Sequence, residues 1–223
     1  MSPYPQLKAF VFDAYGTVFN VHSVVELAEE FFPGQGMTLS QLWRAKQIEY
    51  MYLRTLMARY IPHDENTESA LVYACKALDL KCDFSVRDKL MQAYLRLKPY
   101  PEATDAIDAL AGHKRAILSV GTKPMLTEMV AHAGMTECFD ELISVDAVKV
   151  YKPHPATYQL VLDVLGVTRT EVGFVTSNYF DVAGAKAFGF TVFWINRGNA
   201  VPDELGLLPD QVLKDLSGLK QFA

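Results

Sequence analysis

The sequence predicts a doubly wound α/β fold: a parallel sheet flanked by helices, with a helical cap inserted after the first strand. Three observations predict it. Short apolar runs, β-branched or aromatic and nearly continuous, alternate with helical patterns, as central parallel strands covered on both faces do. Between Phe19 and Pro99 no convincing strand interrupts the helical patterns. Polar residues stand at the C-terminal ends of several apolar runs, and right-handed crossovers bring those ends to one sheet edge, where ligands bind.

Taken in order, KAFVFD (8–13) is the first strand and ends on Asp13, with Gly16 and Thr17 in the turn that follows. The next stretch reads as roughly four helices. In LSQLWRAKQIEYMYLRTLMARY (39–60), Ser40 is a fitting N-cap, and Arg44, Ile48, Met51 and Thr55 share one face. Beyond Pro99 come a helix over 101–112, strand RAILSV (115–120), a helix over 123–133 and strand ELISV (141–145). A helix over 155–165, strand VGFVT (172–176), a helix over 181–188 and strand TVFWI (191–195) complete the alternation. Residues 1–19 and 99–223 thus read as the α/β core, and 20–98 as a helical cap. A cap can exclude water and supply substrate contacts.

Composition narrows the function. Among 223 residues, 50% are hydrophobic and 21% charged, ordinary values for a soluble globular protein. A net charge of −5 argues against a broad nucleic-acid footprint, yet leaves room for a small anionic substrate held by a local positive site. Cys75, Cys82 and Cys138 lack the spacing of a zinc site or disulfide framework, and read as buried reduced thiols of a cytoplasmic protein. The N-terminal MSPYPQLKAF has no signal-peptide pattern, and no apolar run is long enough to span a bilayer.

The strand ends collect a reactive set: Asp13 and Thr17, Ser119, Lys152 and Tyr158, then Thr176, Ser177, Asn178 and Asp181. Each has a plainer reading. Asp13 and Asp181 could be helix caps, Thr17 and Ser119 turn hydroxyls, and Lys152 a solvated loop lysine. Their convergence on one edge favours a site.

DAYGT, Ser119, Lys152-Pro153 and SNYFD resemble the four-motif pattern of the haloacid dehalogenase superfamily, whose core is Rossmann-like. FDAYGTVFNVHSVVE, LWRAKQIEYMYLRTLMARY, AYLRLKPY, VYKPHPATY, GFVTSN and FWINR resemble its type II L-2-haloacid dehalogenases, over nearly the whole chain. Most superfamily members are phosphatases with a second Asp two residues after the nucleophile, which protonates the leaving alkoxide. Here that position is Tyr15, a poor acid near pH 7 given a phenol pKa of about 10. A halide leaves without a proton. Asn178 also stands where a magnesium ligand would be acidic, so the site reads as metal-free and without cofactor.

The resemblance implies a mechanism. Asp13 displaces halide from C2 of an L-2-haloalkanoate and forms an ester. Water, handled by Asp181 with Lys152, Thr17 and Asn178, then releases a D-2-hydroxy acid. Ser119 and the amides of Ala14 and Tyr15 are expected to hold the substrate carboxylate, Tyr158 to orient Lys152, and Arg44 to receive halide beside an alkyl pocket at Ile48 and Phe180. Family members are commonly homodimers through cap helices, which the face with Trp43, Tyr50 and Leu53 could serve, or that face is core.

Three positions depart from the family pattern. Val120 follows Ser119 where the family has an asparagine that cradles halide. His63 stands at a typically aromatic pocket position and is expected to replace the lost donor. Thr176 replaces a frequent serine. Competing readings are a magnesium-dependent small-molecule phosphatase, a hydrolase of another small carboxylate, and a non-enzymatic dimeric binding protein.

Overall fold

A computed structural model describes residues 4–223. The first three residues, part of the N-terminal stretch and of the 1–19 segment, lie outside the described residues.

Six parallel strands form one sheet: β1 (Ala9–Phe12), β2 (Lys114–Ser119), β3 (Glu141–Ser144), β4 (Val172–Thr176), β5 (Thr191–Ile195) and β6 (Gln211–Leu213), in the order β3-β2-β1-β4-β5-β6. β1 and β4 are buried along their whole length, because both sheet faces are covered by helices. The strand order reverses direction at β1, so the crevice between the C-terminal ends of β1 and β4 is the natural ligand position. Phe12 pairs with both Ile117 and Val175, and the Asp13 N–H donates to the Val175 carbonyl at 2.9 Å. That register delivers Asp13 to the crevice. β6 was not foreseen. Its three residues, QVL, are too short for a periodic signal, and Val212 is exposed on the sheet edge.

The chain between β1 and residue 99 holds α1 (Val25–Phe31), α2 (Gly36–Leu56), α3 (His63–Ala77) and α4 (Phe84–Tyr94). The core adds α5 (Ala103–Asp108), α6 (Lys123–His132), α7 (Pro155–Leu165) and α8 (Tyr179–Phe188). An isolated bridge between Phe19 and Pro99 brings the two connections to the helical insertion together.

Two expectations need correction, and one open reading is decided. Ser40 does not cap α2, which starts at Gly36. The Glu29 carboxylate instead accepts from the Gly34 and Gly36 N–H groups at 2.6 and 2.8 Å, and a Cβ on Gly36 would lie 2.7 Å from Glu29 Cγ. Glycine is therefore what lets the acid reach these otherwise orphaned donors. Ser40 Oγ pairs with His22 Nδ1 at 2.8 Å. Trp43 is intramolecular core: it is buried, and its indole N–H donates to the Thr67 carbonyl at 2.8 Å, locking α2 to α3. Cys75 and Cys138 are buried, but Cys82 is only half-buried, since it lies in the connection between α3 and α4.

Among the described residues no helix is long and apolar enough to cross a membrane.

Candidate active site

β1 ends in a tight turn. Ala14 accepts three backbone N–H bonds, from Thr17, Val18 and Phe19, and Gly16 takes φ +87°, which glycine adopts without strain. The turn folds Thr17 back on Asp13, and Thr17 Oγ1 donates to Asp13 Oδ2 at 2.9 Å. The Ser177 N–H donates to the same Thr17 oxygen at 2.9 Å, which directs the hydroxyl proton toward Asp13. Asn178, the residue preceding α8, donates its amide to Asp13 Oδ2 at 2.7 Å and to the Tyr15 carbonyl at 3.0 Å. The expected residues therefore meet at one carboxylate.

Lys152 lies fully buried between two acids. Its ammonium donates to Asp13 Oδ1 at 3.2 Å, Asp181 Oδ2 at 2.9 Å and the Leu118 carbonyl at 2.7 Å. Burial works against the charge, but Asp181 and Asp13 outweigh it and hold the Lys152 pKa above its ordinary value. Burial pushes the Asp181 carboxyl up to about 6, against the pull of Lys152. Asp181 is thus a buried carboxyl with a pKa close to neutrality, the range in which a general base works well. It sits in the first turn of α8 rather than at its cap.

Tyr158 does not orient Lys152. Its hydroxyl donates to Asp181 Oδ1 at 2.6 Å, and its ring is buried among Phe174, Phe188 and Phe190. Thr176 is buried at the end of β4 with its hydroxyl turned to the backbone, accepting the Asn178 N–H at 3.1 Å; it shapes the loop that carries Asn178. Ser119 Oγ accepts the Gly121 N–H at 3.2 Å, leaving its own proton to donate. The Ala14 and Tyr15 amides have no hydrogen-bond acceptor among the described residues. Val120, beside Ser119, is buried.

From α2, Arg44 reaches over the site. Its Nη2 makes loose 3.4 Å contacts with the Tyr15 carbonyl and Asn178 Oδ1, while Nη1 donates to Gln47 Oε1 at 2.8 Å. Ile48, one turn on, is half-buried. His63, the first residue of α3, is fully buried with its ring 5.4 Å from that of Tyr15. Phe180 lies apart from the carboxylates. It packs edge-on to Tyr52 at 5.7 Å and lines an open cleft of about 730 Å³ together with Thr55, Lys152 and Leu205.

No cluster of three or more His, Cys, Asp or Glu side chains that could hold a metal occurs among the described residues. The donor set suits a divalent ion poorly: Asn178 is neutral and spends its amide N–H on Asp13 Oδ2, and Asp181 is already paired with Lys152 and Tyr158. Burial also raises the Tyr15 phenol well above its ordinary pKa, which makes it a still poorer acid.

Comparison with known proteins gives the family. The family model described as haloacid dehalogenase-like hydrolase matches residues 7–189. The chain belongs to this family. Haloacid dehalogenase-like hydrolases similar to it include the haloacetate dehalogenase H-2 of Moraxella sp. (strain B), 46% identical over 92% of this chain and 92% of that protein. The (S)-2-haloacid dehalogenase of Xanthobacter autotrophicus is 52% identical over 86% of this chain and 76% of its own length. An L-2-haloacid dehalogenase structure from Xanthobacter autotrophicus with chloropropionic acid covalently bound superimposes with a TM-score of 0.91, at 45% identity, covering 96% of this chain and 97% of that one.

Several residues of this haloacid dehalogenase-like hydrolase escaped the sequence reading. Gln47 is fully buried; its carbonyl accepts from Arg44 and from the Tyr94 hydroxyl at 3.0 Å, and its amide donates to Thr67 Oγ1 at 2.6 Å. It lies three residues after Arg44 on the same helix face, a spacing that was available as a signal. Arg197 donates to the Thr17 carbonyl at 3.0 Å, Ser177 Oγ at 3.1 Å and Glu102 Oε1 at 2.8 Å. Gly184, on α8, faces Tyr158: a Cβ there would lie 2.3 Å from the Tyr158 hydroxyl. Arg197 closes the FWINR stretch that carries part of the resemblance, whereas nothing local in the sequence announces Gly184.

Proposed function

We propose that this hydrolase cleaves the carbon–halogen bond of short-chain L-2-haloalkanoic acids, giving D-2-hydroxy acids and halide without a metal. The observation that carries this reading is the Lys152 ammonium between Asp13 and Asp181, with a tyrosine at the position an acid would need. The names of the Moraxella and Xanthobacter relatives support it. Ser119 and the amides of Ala14 and Tyr15 hold the substrate carboxylate. Asp13 Oδ1, tethered only by the 3.2 Å contact to Lys152, is the freer oxygen and attacks C2 in line. Halide leaves toward Arg44, whose loose contacts keep its N–H groups available. Ile48 borders the alkyl group.

Esterification removes the Asp13 charge, so Lys152 then serves Asp181 alone. Asp181 takes a proton from water as the water attacks the Asp13 carbonyl carbon. The bond from that carbon to Oδ1 then breaks, and the departing alkoxide takes the proton back from Asp181 as the hydroxy acid leaves. The regenerated Asp13 carboxyl loses its proton to solvent. Thr17 and Asn178 stabilise the charge collecting on Oδ2.

A cytoplasmic location fits the free thiols. A homodimer through the cap helices is supported by the exposed Leu53, Leu56 and Met57 at the end of α2, with Trp43 excluded from the seam. Light scattering reads the oligomer directly.

The deciding experiment follows chloride release from L- and D-2-chloropropionate in EDTA, with Asp13→Asn as control. Release from the L form only, abolished in the variant, is expected. No release from either form, with magnesium-dependent phosphoester cleavage instead, overturns the reading.

A further inference from the structure

We propose that His63 is a hydrogen-bond donor to the departing halide, paired with Arg44, and that it suits this hydrolase to acids whose leaving halide is fluoride, fluoroacetate among them. The inference rests on the dehalogenation reading above.

His63 is fully buried, and neither ring nitrogen has a hydrogen-bond partner. Buried polar side chains are nearly always paired, and an unpaired one points to a ligand or a strained role. The other buried polar side chains of the insertion are satisfied: Gln47, Asn66, Thr67 and Ser40 all have partners. Packing alone does not account for a histidine here, because a phenylalanine would fill the space against Tyr15 and Tyr151 without two orphaned nitrogens.

The ring is placed for the reaction. It lies against Tyr15, two residues from Asp13, and the Tyr15 carbonyl is also a contact of Arg44. His63 and Arg44 therefore flank the same residue. Burial, with the Arg44 charge, pushes the imidazole pKa down to about 3, so the ring is neutral at working pH. A neutral imidazole offers one N–H donor and adds no charge.

The step balances without proton transfer. An Asp13 oxygen forms the C–O bond, the C–F bond breaks, and its electron pair leaves with fluoride, which stays an anion held by the His63 and Arg44 N–H groups. Fluoride is the most charge-dense halide, the strongest hydrogen-bond acceptor and the poorest leaving group. A donor aimed at the developing charge therefore accelerates C–F cleavage more than C–Cl cleavage. Val120, next to Ser119, brings no side-chain donor, which leaves that work to His63.

The test measures fluoride release from fluoroacetate and chloride release from chloroacetate by the wild type, His63→Phe and His63→Gln. His63→Phe is expected to lower kcat/KM for fluoroacetate ~100-fold and for chloroacetate less than ~10-fold, the loss of one donor to developing charge. His63→Gln, which keeps a neutral N–H, is expected to restore part of the fluoride activity. Equal losses for the two acids, or unchanged fluoroacetate turnover, overturn the proposal, as does a wild type that releases chloride but no fluoride. Release of neither halide sinks the dehalogenation reading itself. If His63→Phe does not fold, product inhibition of the wild type decides: fluoride is expected to inhibit chloroacetate turnover at lower concentration than bromide, and the opposite order overturns the assignment.

Discussion

Tyr158 hydrogen-bonds Asp181 at 2.6 Å, and Gly184 is what makes room for it. The phenol and the Lys152 ammonium each take one oxygen of the buried carboxylate, so both donors favour its charged form. On the proposed mechanism a base held this way acts on the second half of the reaction, since Asp13 needs no base to displace halide.

Tyr158→Phe is therefore expected to slow ester hydrolysis. A bond to a charged group contributes about 1.5–3 kcal/mol, so kcat should fall about tenfold or more. Mass spectrometry of quenched reactions should show the Asp13 adduct accumulating. Gly184→Ala should do the same by displacing the ring. Normal turnover with no adduct in either variant would remove Tyr158 from the mechanism.

The pH profile follows from Asp181. Its pKa of about 6 in the free protein comes first from burial, partly offset by Lys152, and is raised further by the Asp13 charge. Esterification removes that last contribution, so the pKa in the intermediate lies lower. The base is active when ionised; kcat should hold at neutral pH and fall on the acid side through a value below 6. The single-turnover burst of halide should not share this limb, and steady-state with burst kinetics across pH 4–8 separate the two.

Lys152→Met leaves two carboxylates buried without their cation, and breaking a buried pair typically costs about 3–5 kcal/mol. The pKa of Asp181 must then rise further above its unfolded value. A carboxyl shifted in that direction stabilises at low pH and loses the contribution as pH rises through its folded pKa. The melting temperature of the variant should therefore drop further below wild type at pH 8 than at pH 5. A deficit independent of pH would mean the carboxylates are not charged in the native protein.

Arg197 ties the carbonyl of Thr17 to Ser177 and is itself fixed by Glu102 and by the Tyr100 ring 3.6 Å away. Arg197→Met should loosen the loop that aims Thr17 at Asp13, with kcat lowered about tenfold and stability by about 2 kcal/mol. Arg197→Lys keeps the charge but not the fork, and should recover stability more than kcat. Equal recovery of both would reduce Arg197 to a purely structural role.

Much of this was legible in the chain itself. The five longer strands came from nearly continuous apolar runs, and the Asp13, Thr17, Lys152 and Asp181 set from polar residues ending those runs. Set against the superfamily pattern it resembles, Tyr15 in place of an acid pointed away from alkoxide leaving groups before any geometry was known. What failed did so for identifiable reasons. Ser40 has the chemistry of a cap, but Glu29 reached the helix start first. β6 is an edge strand of three residues, which leaves no period to detect. Phe180 sits beside the motif residues in sequence, yet its turn of helix faces the cleft.

The sequence by itself determined the fold class, because strand periodicity is a local property, and its resemblance to the haloacid dehalogenases implied the nucleophile and the type of leaving group. Only the tertiary structure decided that Tyr158 serves Asp181, that Gln47 and Arg197 hold the reacting groups in place, and that His63 is buried with its nitrogens free. Those pairings join residues from separate elements, and which donor meets which acceptor depends on how the helices and strands pack, a choice that no short stretch of chain encodes.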